Sequence, residues 1–361
     1  MFHHLIMIAI SAALLISPSV RAQDLSASRN RLSDDTVRLS QLIEDAKKEG
    51  SLSYWDGVIQ AQTNDRLVAA FRNKYSLPPT FKVNYTLSAT SALITKIEQE
   101  LAADKITVDV AAVAAPAWAF EMFRNGSMFE YASPEYKFYG QAFQKGMGKD
   151  KFFAFNGAYF FAPMWNADNL KFEGKSWRDV IGAVPVGRAS VGDAAKSMPY
   201  LVTFIGLEKV LGMDFAPKLA AMKPTFILRS EQSMGRLASG EDLMSFTGMP
   251  TRAYQFNRLG AKLKFMIPKE GVILLPQSMF ILAKAPHPNA AKLWLDFILS
   301  QDGQRILVEE EALVSGRAGF KSPLPGYAPS MENLKMINLD WSVMTTDFLV
   351  KERLKWVQIF N

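Results

Sequence analysis

Between Leu52 and Val113 the chain alternates two kinds of periodicity, and this restricts its fold more than any other feature. Leu52-Ser53-Tyr54-Trp55 reads as a short strand. Thr63 or Asn64 can cap a helix whose inward stripe is Leu67, Val68 and Phe71. Phe81, Val83 and Tyr85 alternate at strand period, and Ser88 to Ser91 opens a helix with Leu93, Ile94, Ile97 and Leu101 inward. Val108 to Val113 is a continuous apolar strand. This β-α-β-α-β order implies a parallel sheet covered by helices on both faces. Ligands of such sheets sit beyond the carboxyl ends of the strands, against helix N-termini.

The middle of the chain repeats the pattern. Ser190 to Gly192 ends a strand, and Pro199 sits in the first turn of a helix running to about Leu211. Strands are expected at Thr225–Leu228, Leu243–Phe246 and Leu263–Met266, with a helix from Thr251 after the Thr247-Gly248-Met249-Pro250 turn. Crossings near Tyr159–Trp165 and Val272–Phe280 would join two lobes. The expected division is a first, discontinuous lobe of residues 38–160 plus 275–361 and a second of 161–274. In the returning part, the Asn289–Ser300 helix turns Ala290, Leu293, Trp294 and Phe297 inward.

The N-terminus carries a different signal. Leu5 to Ile16 is twelve residues without a charge, short of the roughly 20 a membrane-spanning helix needs. Pro18 and Val20-Arg21-Ala22 follow, so residues 1–22 read as a secretory signal peptide cleaved after Ala22, although the n-region has no Lys or Arg. Residues 23–37 read as a flexible polar leader. There is no cysteine, so neither a disulfide nor a thiol-linked lipid anchor is available. An exported, unanchored protein of this kind points to a Gram-negative periplasm. Loss of Arg21 with the signal leaves 40 basic against 35 acidic residues, a charge of +5. The longest basic run is Lys47-Lys48, which is a solvated surface and not a nucleic-acid stripe.

Catalytic inventory is sparse. After the signal the single histidine is His287, between Pro286 and Pro288. One histidine without cysteine builds no standard zinc site and makes a Ser-His-Asp triad a poor reading. G-x-S-x-G and G-x-G-x-x-G are absent, and Gly174-Lys175-Ser176 lacks the earlier glycine of a P-loop, where Asn169 stands. Glu309-Glu310-Glu311 reads as a solvated helix face. Binding without catalysis or cofactor is the expectation.

Several segments carry a family resemblance. Ala46-Lys47-Lys48-Glu49-Gly50-Ser51-Leu52-Ser53-Tyr54, Ser88-Ala89-Thr90-Ser91, Val108-Asp109-Val110 and Pro268-Lys269-Glu270-Gly271-Val272 are the first of them. Lys284 to Trp294, Phe297 to Ser300, Gly303-Gln304 and the closing Trp356–Phe360 stretch complete the set. Together they resemble extracellular solute-binding proteins of ABC importers, in the branch that includes ferric-iron, phosphonate, thiamine and polyamine binders. The resemblance implies a two-lobed type II periplasmic-binding-protein fold, each lobe a mainly parallel sheet flanked by helices, joined by two hinge crossings. It also implies a small-molecule ligand and an inner-membrane permease with its ATPase as partners. The chain is expected to be a monomer, not inserted in the membrane. A ligand-presenting receptor for a sensor or chemoreceptor, a ferric-iron binder and an enzyme on the same fold are the alternatives.

Candidate ligand contacts follow from strand ends and helix starts. Trp55 ends the first strand and could stack on a flat ligand, or belong to the core. Ser88, Thr90 and Ser91 surround a helix N-terminus suited to an anion, or one of them simply caps it. Trp118 follows the third strand. Tyr159 lies in the first crossing. Ser197 and Met198 precede the Pro199 helix, with Met198 making that wall more apolar. Met249 occupies the turn where iron-binding relatives carry adjacent tyrosines, and no Tyr-Tyr pair exists in this chain. Gln277, with Ser278, is polar within an apolar strand on the return crossing. Arg229 or Arg252 could clamp a carboxylate, though a surface role suits each better. The expected ligand is a small organic anion.

Overall fold

The computed structural model describes residues 35–360. The signal segment 1–22 and most of the leader lie outside the described residues. Residues 35–37 of the leader already belong to the first helix, α1, at 35–49, which ends at Gly50. Gly50 has φ +70° and its N–H bonds Ala46 O at 3.0 Å, a left-handed helix stop that glycine adopts without steric cost.

The elements then run β1 (Ser51–Asp56), α2 (Ala61–Lys74), β2 (Lys82–Leu87), α3 (Thr90–Ala102), β3 (Val110–Val113), α4 (Pro116–Arg124), α5 (Gly140–Gln144) and β4 (Phe153–Tyr159). They continue with β5 (Ala162–Asn166), β6 (Ala189–Gly192), α6 (Met198–Leu211), α7 (Phe215–Ala221), β7 (Thr225–Ile227), α8 (Ser230–Ser239), β8 (Met244–Gly248), α9 (Pro250–Arg258) and β9 (Leu263–Phe265). Last come β10 (Leu275–Ile281), α10 (Pro288–Leu299), α11 (Gln301–Glu311) and α12 (Thr346–Phe360).

Among the described residues these strands form two five-stranded sheets, ordered β2-β1-β3-β10-β4 and β7-β6-β8-β5-β9. In the first, β1 pairs in parallel with β2 and β3, while β10 runs antiparallel to both β3 and β4. In the second, β6 pairs in parallel with β7 and β8, while β5 runs antiparallel to β8 and β9. Four of five strands in each sheet therefore share a direction, and the opposed strand is one that adjoins a crossing between sheets. The segments read as connections at Tyr159–Trp165 and Val272–Phe280 are largely strand: β4 and β5 are separated only by Phe160-Phe161, and β10 begins at Leu275. Every residue of β4, β5 and β10 is buried, so none shows the in-out alternation that marks a half-exposed strand.

Strand alternation sorts the aromatic residues of β1. Tyr54 faces α2 and α10, 5.5 Å from the Trp294 ring, which in turn meets Phe71 at 5.0 Å. Trp55 faces the other way and packs in a cluster with Leu93, Ile97 and Ala119. The last helix departs from expectation. Although it follows the return crossing, α12 packs on α6 and α7 of the second sheet, with Trp356 5.0 Å from Phe204 and 6.0 Å from Phe215. The stretch placed with the first lobe by chain order thus joins the second layer, because its one fully buried aromatic fits a cavity formed by Phe204 and Phe215.

One buried carboxylate makes stability pH-dependent. Asp296 on α10 is 4% exposed and accepts hydrogen bonds from Ser133 Oγ at 2.6 Å and Tyr131 Oη at 2.7 Å. Burial raises its pKa to about 6, against the lowering effects of those hydroxyls and of Arg38; nearby Glu135 adds to the rise. A carboxyl whose folded pKa exceeds its unfolded value of 3.8 stabilises the fold below pH 4 and loses that contribution as pH rises through 6. The shift corresponds to about 3 kcal/mol. Urea melts from pH 4 to pH 8 should therefore show the wild type losing stability relative to Asp296→Asn; parallel curves would mean that Asp296 ionises normally.

Candidate ligand-binding cleft

The parallel strands of both sheets end where helices begin, and these ends meet in one cleft of about 530 Å³. From the first sheet it is lined by Gly57, Val58 and Gln60 before α2, and by Leu87, Ser88 and Ala89 before α3. From the second come Ser197, Pro199 and Tyr200 at the start of α6, Leu228 to Glu231 at the start of α8, and Met249 before α9. Five helix N-termini thus border the space. A helix start presents the positive end of the helix dipole and N–H groups without an intrahelical partner; at α8 the N–H groups of Leu228 and Arg229 are already taken by Gln232 Oε1. The caps of α2, α3, α6 and α9, at Gln60, Ala89, Ser197 and Met249, make no side-chain cap hydrogen bond. Tyr159 and Phe161, from the β4–β5 crossing, also line the cleft and contact each other edge-to-face at 5.8 Å.

Asp56 sets the shape of the first wall. Fully buried at the end of β1, its Oδ1 accepts the N–H groups of Val58 at 2.7 Å and Ile59 at 2.8 Å. Its Oδ2 accepts from Tyr54 and from Asn156 Nδ2 at 3.1 Å. Burial raises the pKa of Asp56, and these donors act in the opposite sense. The side chain fixes the turn that presents Gly57 to Gln60.

Two guanidinium groups and one carboxylate line the cleft: Arg229, Arg252 and Glu231. Arg252 is 7% exposed. Its Nε lies 2.9 Å from Glu231, one Nη bonds Gln255 Oε1 at 2.9 Å, and the other reaches Val58 O across the cleft at 3.4 Å. Glu311 lies 3.6 Å from the same guanidinium. Read as part of a solvated run, Glu311 is instead fully buried, where it accepts Gln60 N at 2.7 Å, Thr63 Oγ1 at 2.6 Å and Gln255 Nε2 at 2.9 Å. Only Glu309 and Glu310 behave as surface residues, pairing with Arg66. Burial raises the pKa of Glu311. Arg229, by contrast, has a side chain 77% exposed, with Glu231 at 3.7 Å. Burial also lifts the phenols of Tyr159 and Tyr200, the latter to about 12.

Residues 111–332 match the family model of bacterial extracellular solute-binding proteins. The chain belongs to that family. It is an extracellular solute-binding protein of ABC-type transport. The fold is similar to that of iron-bound HitA from Pseudomonas aeruginosa, with a TM-score of 0.69 at 16% identity, covering 86% of this chain and 98% of that one. It is similar to AfuA from Actinobacillus pleuropneumoniae with fructose-6-phosphate bound, with a TM-score of 0.68 at 19% identity, covering 86% and 98%. The substrate-binding protein of an ABC transporter from Agrobacterium tumefaciens has a TM-score of 0.70 at 12% identity, covering 86% and 94%. No curated protein matches significantly. The architecture is that of the two-lobed periplasmic binding proteins. No helix among the described residues is long and apolar enough to cross a membrane.

In this solute-binding protein the candidate contacts divide three ways. Ser88, Tyr159, Ser197 and Met249 line the cleft. Thr90, Ser91, Trp118 and Met198 line a second, apolar chamber beside it. There Thr90 Oγ1 accepts Ala114 N at 3.3 Å, and Trp118 Nε1 donates to Glu98 at 2.9 Å. Trp55 and Gln277 line neither space. Trp55 is 4% exposed, held in the core with Lys96 Nζ 3.8 Å over its ring, because it is one residue too early in β1 to reach the strand end. Gln277 is fully buried in β10 and donates to Ala112 O at 3.4 Å; the pleat turns it into the sheet. Arg229 and Arg252, which read more readily as surface residues in the sequence, both reach the cleft. Tyr200 and Glu231 went unnoticed. Each stands near a helix start after a strand, and that position is the signal by which they could have been found.

Proposed function

We propose that the protein is the periplasmic, non-catalytic receptor of an ABC importer, a monomer that captures a small organic anion between its lobes and delivers it to a membrane permease. The observation that carries this reading is the convergence of five helix N-termini and two arginines on one cleft. Oriented N–H groups and guanidinium forks hold carboxylate, phosphate or phosphonate oxygens. Closure around the anion would add contacts from both lobes, so the ligand favours the closed state. The bound fructose-6-phosphate of AfuA is an anion held on a similar fold.

Ferric ion is the second reading, since HitA is iron-bound. The donor set speaks against it. The phenols that line the cleft, Tyr159 and Tyr200, come singly from β4 and α6, and Glu231, the one carboxylate lining the cleft, is committed to Arg252. Among the described residues no group of three His, Asp or Glu side chains could hold a metal.

The test is a thermal-shift series on protein taken from the periplasmic fraction, whose first residue should be Gln23. Carboxylates, phosphate esters and phosphonates are compared with amines and ferric citrate. A ligand at 100 times its Kd adds about 2.7 kcal/mol, which for a chain of this size raises Tm by about 4 °C. Stabilisation by ferric citrate or amines alone would sink the proposal.

A further inference from the structure

Beside the polar cleft lies a chamber of about 340 Å³ whose walls are mostly apolar. Ile94 and Trp118 contribute from the first layer, Met198 and Val202 from α6, and Met344 and Leu349 from the C-terminal segment. The chamber and the cleft are built by the same two helix starts. Ser88 and Ala89 face the cleft while Thr90 and Ser91 face the chamber; Ser197 faces the cleft, Met198 the chamber, and Pro199 borders both. A volume of this size falls at the lower end of small-molecule pockets, which run from roughly 300 to 1,000 Å³.

We propose, resting on the reading of the cleft as an anion site, that the ligand is an anion carrying an uncharged, ring-sized apolar arm, with its charge in the cleft and its arm in the chamber. Charge fixes the orientation. The cleft carries Arg229 and Arg252 against Glu231, whereas the chamber carries Glu98 and Glu121 against Arg353. An anionic group is favoured in the first and opposed in the second. The chamber draws its walls from both layers and from α12, so an arm seated there holds the lobes together as the charged end does.

The experiment is calorimetric titration of the mature protein with matched probes: methylphosphonate against phenylphosphonate, and acetate against phenylacetate. Burying the ring should tighten binding at least tenfold within the pair whose head group fits. Ala117→Leu fills the chamber from the start of α4, where Ala117 lines it. This variant should erase the gain and leave the short anion's affinity unchanged, which also reports that it has folded. Ile94→Phe fills the chamber from α3 and should do the same if Ala117→Leu fails to fold. Short anions that bind with no gain from the ring, or a gain that survives the filled chamber, overturn this inference alone. A 2-aminoethylphosphonate probe that outbinds phenylphosphonate overturns it as well, since the acidic side of the chamber would then be taking a cation. Failure of every anion overturns the reading of the cleft together with it.

Discussion

Arg252→Ala is expected to weaken anion binding at least 100-fold and to destabilise the fold. The guanidinium is 7% exposed and touches both layers: Glu231 and Gln255 on its own side, Val58 O and Glu311 on the other. Truncating one partner of a desolvated, hydrogen-bonded charge pair costs about 2–5 kcal/mol of binding. Removing it also leaves Glu311 buried without its cation, a situation that costs about 3–5 kcal/mol. The pH dependence separates this from simple loss of packing. The Glu311 pKa is already raised by burial, and Arg252 acts to lower it. Without the cation the ionised form becomes dearer still, so the variant's instability should grow as pH rises and shrink in acid, where Glu311 takes up a proton. Arg252→Lys keeps the charge without the fork and should fall between the two. Calorimetric titration and urea melts at pH 5 and pH 8 measure both effects. An unchanged anion affinity would remove Arg252 from the site.

Trp356→Ala should cost about 3–5 kcal/mol, the usual range for a large aromatic truncated in a core. The ring is fully buried and meets Phe204, Phe215 and Phe360 at 5.0, 6.0 and 6.0 Å. Its indole N–H has no partner, so the loss is one of packing and not of a hydrogen bond. Because α12 is part of the wall of the apolar chamber, the same change should reduce the gain that a ring brings to an anionic probe. A loss below about 0.5 kcal/mol, the size expected of a surface substitution, would show that α12 is not docked on α6 and α7. Chemical denaturation read by Trp fluorescence, with circular dichroism as a second probe, measures it.

Much of the scaffold was legible in the residues. Apolar spacing located β1, α2, β2 and α3 to within a few positions, since those elements alternate buried and exposed sides. Pro199 marked the onset of α6, because proline's missing N–H costs nothing there, and α9 and α10 likewise begin at a proline, one residue before the starts read from the sequence. The site was half legible. Ser88 and Ser197 were read from one rule, that a residue between a strand end and a helix start faces the cleft, Tyr159 from its place in a crossing and Met249 from its turn, and all four line that space. The same rule misplaced Trp55, which lies one position inside its strand.

By itself the sequence determined the local periodicities, most of the helix starts, the absence of cysteine and the scarcity of histidine, and so a two-layer α/β architecture. Those properties depend on neighbours close along the chain. Tertiary structure alone decided that Arg252 and Glu311 are buried together, that α12 belongs to the second layer, and that the polar cleft has an apolar chamber beside it. Each of these depends on surfaces brought together from distant parts of the chain, such as α9 against α11 or Trp356 against Phe204. Whether a charged or aromatic side chain is solvated or enclosed is set by what packs over it, and no spacing along the chain records that.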